Sequence, residues 1–113
     1  MALTRLNQFD FHPTLAEKKG VSLIMFTAPG CGSCRQLRQV LESHPQEFAE
    51  LHLFEVDAQQ DQALTNEFDV FHLPSLFLFR DGQFHAQIEA EPLPQQIKDA
   101  IAAALSEGPQ EAP

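Results

Sequence analysis

Both cysteines of the chain fall in one four-residue stretch, Cys31-Gly32-Ser33-Cys34, at the junction of two runs with different periodicity. The run before it, Val21-Ser22-Leu23-Ile24-Met25-Phe26-Thr27, is short, nearly continuous in apolar character and rich in strand formers. That pattern reads as a strand buried on both faces. Beyond the cysteines, Cys34, Leu37, Val40 and Leu41 recur at i, i+3, i+6 and i+7, one face of a helix. The order strand, tight turn, cysteine pair, helix places Cys31 at a helix N-terminus.

A thiol does its chemistry as the thiolate. The free N–H groups and dipole at a helix start favour negative charge, so a cysteine there is activated. Cys31, at the very start, is therefore the expected nucleophile. Cys34, inside the first turn and turned toward the core, is the expected resolving thiol. Gly32 lets an incoming chain approach, and Ser33 offers a hydroxyl to the helix start. Three other readings of the pair stand beside this one: inert buried thiols, a static disulfide, or part of a zinc site. Zinc needs about four ligands, and no two of His12, His44, His52, His72 and His85 are spaced three to five residues apart. No metal is expected.

The length of 113 residues suits one domain, taken as residues 1–105, followed by a polar tail over 106–113 expected to be disordered. All ten aromatic side chains are Phe; without a polar tip they suit a dry core better than a recognition surface. A net charge of −9 argues against nucleic acid and anionic membranes as partners, since both reward Lys and Arg. No apolar run approaches the ~20 residues of a membrane span. The first residues, Met1 to Leu6, lack the apolar core of a secretory signal. Taken as the whole gene product, the chain is expected in the cytoplasm, where two cysteines are more often catalytic or metal-binding than structural.

Along the chain, Leu3–Leu6 suggests a first strand, and Phe9, Phe11 and Leu15 a helix that stops before Lys19-Gly20. The cysteine helix ends or kinks at His44-Pro45, with a short turn around residues 47–49. Leu51–Val56 reads as a second central strand, and Ala63, Leu64 and Phe68 mark a brief helix with Asp61 in its first turn. A loop over Asp69–Ser75 precedes the strand Leu76–Phe79, and Asp81-Gly82 signals a two-residue hairpin. On the return strand Phe84, Ala86 and Ile88 alternate with His85 and Gln87, giving one wet face. Leu93, Ile97, Ile101, Ala104 and Leu105 form the stripe of a final helix with Pro94 in its first turn. These elements make an α/β domain closing on ββα, with parallel strands and a final antiparallel hairpin.

Taken together, Cys31-Gly32-Ser33-Cys34, Val56-Asp57, Val70 to Pro74, Pro74-Ser75-Leu76-Phe77-Leu78-Phe79 and Asp81-Gly82 resemble the thioredoxin family, from about Leu3 to Leu105. The resemblance implies the thioredoxin fold, a central mixed β-sheet flanked by helices. It also implies a cis Leu73–Pro74 bond beside the sulfurs, the only bond type in which cis is accessible at low cost. Gly30, Gly32, Ser33, His72, Leu73 and Pro74 are then expected to form the active-site groove.

The chain departs from the family pattern at four places. Gly30 stands where the family usually has Trp, and Gly-Ser replaces the commoner Gly-Pro between the cysteines. Met25 falls at the position of a buried Asp, and Glu89 near the groove's Gly, where a carboxylate could accept a proton. His72 could favour a nearby thiolate when protonated, or simply be a solvated loop residue. Arg35 could add positive potential, or be the exposed side of its helix.

The implied function is a thiol–disulfide oxidoreductase acting in cell redox homeostasis and electron transport. It would need no cofactor beyond the redox-active Cys31/Cys34 pair, and would act as a monomer on protein disulfides, with electrons from a separate reductase or a thiol pool. Two other functions stay open: a binding or adaptor module with little redox turnover, and a dedicated partner-specific oxidant or redox sensor.

Overall fold

A computed structural model of the chain describes residues 3–113. In chain order its elements are β1 (Thr4–Arg5), α1 (Phe11–Ala16), β2 (Val21–Thr27), α2 (Gly32–Ser43), β3 (Leu51–Asp57), α3 (Gln62–Glu67), β4 (Ser75–Arg80), β5 (Gln83–Ile88) and α4 (Pro94–Leu105). They form one five-stranded sheet in the order β1-β3-β2-β4-β5. β3 runs parallel to both β1 and β2, while β4 is antiparallel to β2 and to β5. This is the expected α/β fold with a mixed sheet and helices on both faces.

The near-continuous apolar character of β2 has a direct cause: the strand is central, with helices on both sides. Alternate residues serve two cores. Ile24 and Phe26 join Phe11 and Leu15 of α1, Leu64 of α3, and Phe68 and Phe77 on one face. Leu23 and Met25 join Leu37 and Leu41 of α2 and Ile97 and Ile101 of α4 on the other. Half of the buried residues of the first core are phenylalanine. The Phe68 ring lies 5.3 Å from Phe11 and from Phe77, and 5.9 Å from Phe26. Such aromatic pairs contribute about 0.5–1.5 kcal/mol each beyond burial alone.

The Asp81-Gly82 turn has positive φ at both residues, 53° and 82°, as a type I′ hairpin requires. It is also tied to the start of β2. Asp81 Oδ1 accepts from the Gly20 amide at 2.8 Å, and the Asp81 amide donates to the Gly20 carbonyl at 2.8 Å. Gly20 therefore anchors the hairpin. The helix expected to run up to it ends earlier, at Ala16, and Phe9 lies outside it, 80% exposed.

The return strand corrects the expected alternation. His85 is buried, at 5% exposure, because β5 carries a bulge: Leu78 pairs with Ala86 but Phe79 pairs with Phe84. The extra residue reverses the facing of the strand, so Phe84 packs on the phenylalanine core while Ala86 and Ile88 join the opposite one. The His85 ring is satisfied by the Ala104 carbonyl of α4, at 2.7 Å from Nε2. Leu93 is likewise not part of the α4 stripe. It is the N-cap residue, half exposed, and the helix begins with Pro94. Beyond Ser106 the chain has no regular element, yet the Gln110 amide donates to the His85 carbonyl at 2.7 Å, and its side chain accepts from the Gln87 amide.

Candidate active site

β2 delivers the chain to the turn Ala28-Pro29-Gly30, and α2 begins directly after Cys31. Cys31 is the N-cap residue in extended geometry, and its Sγ accepts from the Cys34 amide at 3.1 Å. A sulfur thus occupies the place where Ser, Thr, Asp or Asn oxygens usually satisfy the free N–H groups of a first turn. The same bond would favour negative charge on that sulfur once it is a thiolate. Ser33 does not serve the helix start as expected; its Oγ lies 3.5 Å from the Cys31 sulfur. Cys31 and Cys34 form a disulfide, with Cα atoms 5.3 Å apart. The pair is asymmetric in access: Cys31 is half-buried and Cys34 is 1% exposed.

The Leu73–Pro74 peptide is cis. The following Ser75 is buried and its hydroxyl donates to the His72 carbonyl at 2.7 Å, fixing the loop. A groove of about 540 Å³ runs from Ser33, Gln36 and Leu37 on α2, past His72, Leu73 and Pro74, to a far wall that includes Glu89, Glu91 and Pro92. Ser33, His72, Leu73, Pro74 and Glu89 are therefore brought together around one groove. His72 and Glu89 are exposed on its rim, and Phe71, beside His72, is 87% exposed. Gly32 is exposed as the first residue of α2, and Gly30 lies elsewhere, with both cysteines, on the wall of a second cavity of about 160 Å³.

That second cavity holds Arg5, Thr27 and Arg38, which the sequence reading missed, beside Arg35, which it had weighed as a source of positive potential. Besides Gly30, Cys31 and Cys34 it is lined by Arg5, Thr27, Arg35, Arg38 and Asp57. Behind it lies Glu55, 6% exposed in the middle of β3. The Arg38 guanidinium donates to Glu55 Oε2, and the Thr27 hydroxyl donates to the same oxygen at 2.8 Å. Arg5 stands 3.5 Å from Glu55 and 3.6 Å from Asp57. The available signal was Glu55 itself, a carboxylate set between the apolar Phe54 and Val56 of β3, which requires a partner once buried. Met25, at the position of the family's buried Asp, is fully buried among apolar side chains of the core beneath α2.

Comparison with known proteins agrees with this geometry. The thioredoxin family model matches residues 2–103. Thioredoxin of Bacillus subtilis is 31% identical over 84 residues, covering 74% of this chain and 79% of that protein. Protein disulfide-isomerase A3 of Gallus gallus is 33% identical over 82 residues, which are 72% of this chain but 16% of that much longer protein. Among solved structures, oxidised mitochondrial thioredoxin 3 from Saccharomyces cerevisiae superposes with a TM-score of 0.75 at 24% identity, covering 89% of this chain and 94% of that one. Thioredoxin from Trypanosoma brucei brucei gives 0.76 at 17% identity, covering 94% and 93%. The chain belongs to the thioredoxin family, and its Cys31–Cys34 pair makes it a thiol–disulfide oxidoreductase.

Proposed function

We propose that Cys31 is the attacking sulfur and Cys34 the resolving one, in a cycle that reduces disulfides of partner proteins. The observation that carries this reading is the Cys34 amide donating to Cys31 Sγ at the head of α2, with Cys31 accessible and Cys34 enclosed. In the reduced protein the Cys31 thiolate attacks one sulfur of a partner disulfide, and the partner's other sulfur leaves as a thiolate that takes a proton. Cys34, as thiolate, then attacks Cys31 Sγ in the mixed disulfide. The second partner sulfur leaves and is protonated, and the Cys31–Cys34 bond re-forms. Two electrons have passed from the pair to the partner.

The groove between α2 and the cis-proline loop suits an extended segment of that partner, with Leu73 and Pro74 as its floor and His72 and Glu89 at its rim. Restoring the dithiol falls to a separate reductase or a small-thiol donor. No cofactor is required, because the electrons reside in the two sulfurs. One domain carries both sulfurs and the groove, so a monomer suffices. A cytoplasmic, reducing setting suits a dithiol that must be regenerated.

The test is reduction of a disulfide-bonded test protein with a thiol donor present, comparing the native chain with Cys31→Ser and Cys34→Ser. Both variants are expected to lose turnover, and Cys34→Ser to accumulate a covalent adduct with the partner. Adducts on Cys31→Ser instead would reverse the two roles. Absence of any exchange in the native chain would favour an adaptor.

A further inference from the structure

The enclosed sulfur poses a physical problem. Cys34 is 1% exposed, and burial disfavours the thiolate that the resolving step needs. Met25 on β2, buried in the core beneath α2, carries no charge and no proton acceptor. The cavity of about 160 Å³ against which Cys34 lies is, however, lined by three arginines, Arg5, Arg35 and Arg38, and one acidic residue, Asp57.

Arg38 is the best placed of the three. It follows Cys34 by four residues on α2, so the two side chains are neighbours on one helix face, with Cβ atoms about 5–6 Å apart. Its guanidinium is held from behind by Glu55 on β3, which is itself fixed by the Thr27 hydroxyl. Its Nε is buried and has no hydrogen-bond acceptor among the described residues, an orphan donor of the kind that normally finds a partner. Arg35 follows Cys31 by four residues, is exposed and makes no ion pair among the described residues. Arg5 on β1 is shared between Glu55 and Asp57.

We propose that Arg38, moored by Glu55, is a positioning residue that stabilises the Cys34 thiolate and thereby speeds the resolving step. This rests on the disulfide-exchange reading above. The ion pair is the important detail, because Glu55 both orients the guanidinium and offsets part of its charge. Removing either member should therefore move the thiolate in opposite directions. Without Arg38 the cavity loses a cation and leaves the Glu55 carboxylate less neutralised, so the thiolate is disfavoured. Without the Glu55 charge, Arg38 acts undiminished and the thiolate is favoured. Asp57 opposes Arg38 from the cavity wall in every variant. His72 and Glu89 line the separate groove, so their contribution is common to all the proteins compared.

The experiment uses the Cys31→Ser background, in which Cys34 is the sole thiol, and follows ultraviolet thiolate absorbance against pH. Arg38→Met is expected to raise the Cys34 midpoint and Glu55→Gln to lower it, each by about 0.5–1 pH unit. Arg38→Lys is expected to stay near the parent. In the two-cysteine protein, decay of a preformed mixed disulfide at neutral pH should slow about three- to ten-fold in Arg38→Met. Glu55→Gln retains the side-chain shape and an acceptor oxygen, so it keeps the test decisive should Arg38→Met unfold. A purely structural role for the pair would destabilise both variants and leave the thiolate midpoint in place. Midpoints that do not move, or that move the same way in both, overturn the proposal. Absence of a reversible dithiol couple in the native chain would instead sink the oxidoreductase reading itself.

Discussion

Gly82 is the position at which the hairpin and the first helix are most tightly fitted, and replacing it by Ala gives a worked test of that fit. Its φ is +82°, and a Cβ built there would lie 2.8 Å from the Ala16 carbonyl oxygen and 3.1 Å from Ala16 Cα. Two costs therefore combine. A left-handed conformation costs an L-residue about 1–2 kcal/mol, partly offset by about 0.4–1 kcal/mol from a stiffer unfolded chain. Forcing the end of α1 away adds a further overpacking cost of about 1–3 kcal/mol. Gly20 is the internal control. Its φ is +84°, yet among the described residues a Cβ there meets nothing within 4 Å. Gly20→Ala is thus expected to cost about 0.5–1 kcal/mol and Gly82→Ala about 2–4 kcal/mol, net of those same effects. Denaturant unfolding of the oxidised proteins, read by far-ultraviolet circular dichroism because the chain has no Trp, measures both. Equal losses at the two positions would refute the close-approach argument and show that α1 yields freely. Gly82 is remote in sequence and fold from the cysteines, so folded Gly82→Ala should exchange disulfides at the native rate.

Two further outcomes follow from individual contacts. His85→Ala removes the ring bonded to the Ala104 carbonyl between β5 and α4; since the Glu107 amide also donates to that carbonyl at 3.3 Å, the lost bond should cost about 0.5–1.5 kcal/mol, and a neutral effect in the same unfolding measurement would mean the bulge does not depend on it. The Lys98 ammonium donates to Glu47 Oε1 at 2.7 Å, and its hydrogen bond and charge, with a smaller contribution from His44, hold the Glu47 carboxyl below its usual range. Since the native value is the depressed one, this contribution is present above the ordinary carboxylate range and is lost as pH falls through the lower native value. Side-chain NMR should show Glu47 titrating low in the native protein and returning to the ordinary range in Lys98→Met; an unchanged midpoint would remove the pair from the acid response.

The sequence by itself determined a great deal here, for a local reason. A continuous apolar run, a helical period and a turn dipeptide are written in neighbouring residues, so β2, α2 and the Asp81-Gly82 hairpin were legible without any partner element. The same locality placed Cys31 at a helix start and Cys34 one turn in. Tertiary structure decided what depends on residues distant in the chain. The bulge that buries His85 exists because β5 must meet β4 and α4 together, and the Gly20–Asp81 anchor joins positions 61 apart. The Arg38–Glu55–Arg5 network brings α2, β3 and β1 to one cavity beside the sulfurs. Burial of a charge is a property of the assembled layers, and its compensation can only be seen where those layers meet.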